Sequence, residues 1–76
     1  MYLDTVLLER KIEDSGLRKS KIAEMLGITR QGLYKKISGD SEFKSSEIKM
    51  LSEILNLDAA ERDTIFFADY VDKTVT

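Results

Sequence analysis

Arg30, Gln31, Tyr34 and Lys35 are the residues whose types and spacing most plainly suggest recognition of another molecule. Arg can donate two hydrogen bonds to guanine N7 and O6, Gln can pair with adenine N6 and N7, and Lys reaches guanine acceptors. Tyr can bond a base or a phosphate, or lay its ring against a thymine methyl. Take a helix from Thr29 to Ile37, at about 100° per residue, with Leu33 and Ile37 facing inward. Gln31 and Lys35 then stand nearly opposite the core, flanked by Tyr34 and Gly32. Arg30 lies nearer the side but in the first turn, the end that enters a DNA groove in motifs of this kind. On an arbitrary helix the same side chains would be a solvated face. The stretch before them gives them a different meaning.

That stretch runs from Ala23 to Thr29 as AEMLGIT. It supplies an apolar helix end, a Gly suited to the left-handed residue that stops a helix, and a Thr able to cap the next one. Two short helices joined through one Gly-containing turn form a helix-turn-helix, whose second helix lies in the DNA major groove. Around it, Lys19 and Ser20 occupy the first turn of the preceding helix, where free amides and the positive dipole end suit a phosphate. Thr29, Lys36, Ser38 and Lys44 are further candidates for backbone oxygens, contacts that fix register without reading sequence.

The positioning elements follow from periodicity and punctuation. Helix 1 is expected after Asp4, whose carboxylate can cap free amides, and runs to about Asp14. Leu8 and Ile12 form its inner face, supported by Val6 or Leu7, and Ser15-Gly16 ends it. Leu17 tucks the connection onto the core. Helix 2 covers roughly Lys19 to Leu26, with Ile22, Ala23 and Leu26 on one stripe. Ser38-Gly39-Asp40-Ser41 reads as a loop and Phe43 returns a ring to the core. Helix 4 follows Ser45 or Ser46, and Ile48, Leu51, Ile54 and Leu55 have the spacing of a buried face. Asp58-x-x-Glu61 is a capping pattern that opens a short helix 5 carrying Ile65 and Phe66 or Phe67. The segment Tyr70–Thr76 reads as a strand, a docked arm or a frayed end. The expected fold is all-α, a compact five-helix domain over residues 1–68 with a tail at 69–76.

Composition narrows the function. Cys and His are both absent, which removes disulfides, thiolate metal sites and the commonest general base, so neither a metal nor another cofactor is expected. No phosphate loop or nucleophile motif is visible, and Glu13-Asp14 diverge on a helix instead of sharing a proton, so an enzyme is not expected. No apolar run nears the ~18 residues of a membrane span, and the first residues lack a basic-then-apolar leader pattern. A cytoplasmic protein of a bacterial host is the simplest reading. The net charge of −2 divides unevenly along the chain. Residues 1–9 carry −2, residues 10–37 carry eight cations against three acids, and residues 38–76 carry four cations against nine acids. A basic region inside an acidic protein can grip phosphate locally while the rest of the molecule orients the encounter.

From Gly16 to Gly39 the chain resembles the helix-turn-helix of Cro and the phage repressors, the XRE family. The matching pattern is G-L-x-x-x-x-I-A-E-x-L-G-I-T-R-Q, carried by Gly16, Leu17, Ile22, Ala23, Glu24, Leu26, Gly27, Ile28, Thr29, Arg30 and Gln31. The later run, Phe43-x-x-x-Glu47-Ile48 through Leu55-x-Leu57 and Ile65-Phe66-Phe67, is similar to small regulators encoded in prophages of Gram-positive bacteria. The resemblance covers most of residues 3–68. It implies a lambda-repressor-like five-helix domain that binds operator DNA, usually as a homodimer on a two-fold-related site. Arg30, Gln31, Tyr34 and Lys35 fall on the family's base-reading positions, and Lys19 and Ser20 where phosphates are gripped. Two departures stand out: Arg18-Lys19 replaces a more frequent Thr-Gln, and Lys36 occupies a place that is apolar in many relatives. The function expected is a sequence-specific repressor that occludes a promoter, pairing through Phe66, Phe67, Tyr70 and Val71. A protein-interaction module binding another regulator, like an antirepressor or antitoxin, is the alternative that the acidic half keeps open.

Overall fold

The computed structural model describes residues 3–67. Five α-helices make up the described chain: α1 (Thr5–Ser15), α2 (Lys19–Leu26), α3 (Arg30–Ser38), α4 (Ser45–Ile54) and α5 (Ala59–Phe66). The expected all-α class therefore holds. The tail, with Tyr70 and Val71, lies outside the described residues.

Each boundary has a local cause. Asp4 caps α1 by accepting from the Leu7 amide at 3.0 Å, and Gly16 ends the helix in the left-handed region at φ +73°. The capping pattern at α5 is reciprocal. The Glu61 amide donates to Asp58 Oδ1 at 2.7 Å and the Asp58 amide donates to Glu61 Oε1 at 3.0 Å. At α4 the start differs from expectation. The N-cap falls on Lys44, and Ser45 is already helical, because the Glu47 carboxylate accepts from the Lys44 amide at 2.8 Å and does the capping from within the first turn.

The core is one cluster. Leu8, Ile12, Ile22, Ala23, Leu33, Ile37, Phe43, Ile48, Leu51, Leu55, Ile65 and Phe66 are buried. Leu7 is half-buried and packs on the cluster while Val6 points to solvent, which settles the inner face of α1. Phe43 and Phe66 meet edge to face, with centroids 5.5 Å apart and planes at 82°. Helix α2 packs on α3 and α4, α1 on α3 and α5, and α4 on α5. The Asp4 amide donates to the Ile65 carbonyl at 2.9 Å, and Lys11 pairs with Glu61, so the first helix is tied to the last. The hydrogen bond from Lys11 holds the Glu61 carboxyl below the usual carboxylate range. A single core thus fixes the angle at which α3 is presented.

Candidate nucleic-acid interface

The turn between α2 and α3 is built as its residues predict. Gly27 takes φ +73° and its amide donates to the Glu24 carbonyl at 3.1 Å, while the Ile28 amide donates to the Ala23 carbonyl at 3.0 Å. Ala23 is buried between the two helices, where a larger side chain would hold them apart. Thr29 caps α3 by accepting from the Gly32 amide at 2.9 Å. Gly32 has a local reason to be bare. A Cβ there would meet Thr29 Oγ1 at 3.0 Å, tighter than ordinary van der Waals contact, so the cap and the glycine fit each other.

With Leu33 and Ile37 buried, Arg30, Gln31, Tyr34 and Lys35 are all exposed on the outer side of α3. They form one contiguous polar face. Tyr34 organises it: its ring lies 5.2 Å from Lys19 Nζ on α2 and 5.7 Å from Arg30 Cζ, within reach of a cation–π attraction on each. These residues, with Arg18 and Ser20, line an open cleft at the start of α2. Arg18 occupies the N-cap position of α2 and makes no side-chain hydrogen bond there, so no side chain of its cap covers the first amides. Three cations, a hydroxyl and a helix N-terminus therefore converge on one exposed concavity, an arrangement chemically suited to an oxyanion.

The remaining candidates separate into two groups. Ser20, Thr29, Ser38 and Lys44 are exposed. Ser38 also donates to the Lys35 carbonyl at 3.0 Å, closing the last turn of α3. Lys36 sits elsewhere. Its ammonium is 2.6 Å from Glu47 Oε1 on α4 and donates to the Glu42 carbonyl at 3.2 Å, with only 13% of the side chain exposed. Burial raises the cost of ionising Glu47, yet the hydrogen bonds from Lys36 and from the Lys44 amide outweigh it and hold the carboxyl below its ordinary range. Lys36 thus fastens the end of α3 to α4, and the departure from an apolar residue is accommodated by a partner carboxylate. Phe66 is wholly enclosed in the core of its own chain and is unavailable for pairing, while Phe67 is half-buried at the end of α5. Glu9 was not among the expected site residues, yet it borders this surface: its carboxylate is 2.9 Å from Lys19 Nζ.

The family model described as Bacterial regulatory protein, Fis family, matches residues 3–38, which span α1 through α3. The chain carries a helix-turn-helix. This helix-turn-helix is the α2–turn–α3 unit just described, and the match supports a DNA-binding regulator without selecting the Cro and phage-repressor type. No curated protein and no solved structure matches the chain. No helix among the described residues is long and apolar enough to cross a membrane.

Proposed function

We propose that this protein is a sequence-specific regulator of transcription that binds double-stranded DNA, a Cro-like repressor of the phage or prophage type acting in the bacterial cytoplasm. The observation that carries the reading is the shared surface of α2 and α3. An exposed row of Arg30, Gln31, Tyr34 and Lys35 adjoins a cationic cleft at the start of α2. In the proposed complex α3 enters the major groove and that row meets base edges. Lys19, Ser20 and the α2 amides hold a phosphate beside it, and Thr29, Ser38 and Lys44 lie near the backbone strands. Lys36 contributes through its hold on α4 and not through a phosphate.

Promoter occlusion needs only stable residence on DNA, so no catalytic group or cofactor enters the proposal. One small module covers limited DNA surface, and useful affinity calls for two copies on half-sites about one helical turn apart. Phe67, just after the end of α5, belongs to the proposed pairing patch, and Tyr70 and Val71 of that patch lie outside the described residues.

Titrating a labelled duplex at increasing salt tests the reading. Each cation that neutralises a phosphate adds about 0.9 to the slope of log affinity against log salt, so the affinity should fall steeply between low and physiological salt. Duplex binding that is absent at low salt would remove the DNA reading and favour the protein-interaction module.

A further inference from the structure

Glu9 stands on α1, outside the helix-turn-helix, and yet it is the acid nearest the cationic cleft's central lysine. Both of its oxygens reach Lys19 Nζ, Oε1 at 2.9 Å and Oε2 at 3.1 Å. The same ammonium lies 5.2 Å from the Tyr34 ring, which also carries Arg30 at 5.7 Å. A carboxylate offers Lys19 two oxygens and one negative charge, which is what a phosphodiester would offer it. The pair is open to water, with 26% of the lysine and 42% of the glutamate side chain exposed. Ion pairs this open to water contribute little to folding.

We propose that Glu9 is an internal stand-in for a DNA phosphate, occupying Lys19 in the free protein and weakening its contact with duplex. The inference rests on the DNA-binding reading above. A phosphate approaching the cleft meets Lys19 already neutralised and a carboxylate of its own sign. Lys19 joins the complex only by leaving Glu9. On DNA of arbitrary sequence the pair stays closed, which lowers affinity there, removes one cation from the salt dependence and keeps residence short.

The test is duplex binding by Glu9→Gln, followed by fluorescence anisotropy on a labelled duplex of arbitrary sequence over a range of salt. Glu13→Gln, the same charge change one helical turn further along α1, serves as control. Glu9→Gln should bind about 3–10-fold more tightly at low salt and show a salt slope steeper by about 0.9, while Glu13→Gln keeps the wild-type slope. In a Lys19→Ala background the Glu9 substitution should no longer change the salt slope. Thermal melts within a few degrees of wild type would show that folding is not being measured. The proposal is overturned if Glu9→Gln behaves like Glu13→Gln, if its steeper salt slope survives loss of Lys19, or if it weakens binding. Absence of duplex binding by wild type and both variants at low salt would instead remove the DNA-binding reading itself.

Discussion

Replacing Glu47 by Gln should unfold this domain far more readily than any exposed charge substitution, although the two side chains are nearly the same size. In the native fold Glu47 Oε1 is 2.6 Å from Lys36 Nζ, and the two side chains are 10% and 13% exposed. At an effective dielectric constant of about 20, unit charges at that separation attract by ~6 kcal/mol, most of which offsets the desolvation of both ions. The Gln oxygen can still accept from the Lys44 amide, so the cap of α4 is kept. Lys36, however, is left largely buried with only neutral oxygens around its ammonium, the Glu42 carbonyl among them, and no opposite charge. Breaking such a pair from one side costs ~3 kcal/mol, which lowers the melting temperature of a domain this size by roughly 12–24 °C. Urea unfolding followed by circular dichroism gives the loss directly. The pH dependence supplies the sign. The Glu47 carboxyl titrates below its ordinary range in the fold, so its contribution is complete above about pH 4.3 and is lost as pH falls through the lowered folded value. The gap between wild type and variant should close on acidification. A loss under ~0.5 kcal/mol at neutral pH, or a gap independent of pH, would refute the reasoning.

Arg30→Ala should weaken binding to a selected operator by about 1–3 kcal/mol while leaving the melting temperature nearly unchanged, as measured by anisotropy and thermal unfolding. Thr29→Ala removes the oxygen that accepts from the Gly32 amide, and chemical unfolding should show a loss of ~1 kcal/mol. Gly27→Ala places a Cβ at φ +73°, where open space removes any clash but not the backbone strain; the expected destabilisation is ~1 kcal/mol, read from the urea midpoint.

Much of the fold is legible in the sequence because its boundaries are set locally. Asp4, Gly16, Gly27, Thr29 and the Asp58–Glu61 pattern each act within four residues, and each does in the structure what its chemistry requires. The outer face of α3 is legible for the same reason, since burying Leu33 and Ile37 leaves Gln31 and Lys35 no other direction. Lys36 is the instructive exception. It lies three residues after Leu33 and one before Ile37, on the edge of the buried stripe, just as Glu47 adjoins Ile48 on α4. Two opposite charges on inward stripes were the available signal for a pair, but the meeting of α3 with α4 depends on tertiary packing that no local pattern reports. The pairing of Lys19 with Glu9 is illegible for the same reason, since α1 brings the acid to the cleft from ten residues away. The choice of Phe66 over Phe67 for the core turned on the rotation of the short helix α5, which two adjacent aromatics do not specify.

The central claim is that the exposed face of α3 reads DNA sequence. Selecting bound duplexes from a random pool at low salt tests it most directly. Enrichment of one sequence whose two related halves lie about one helical turn apart is expected, with the enrichment lost in Arg30→Ala. A folded wild-type protein that enriches no sequence from the pool would contradict it.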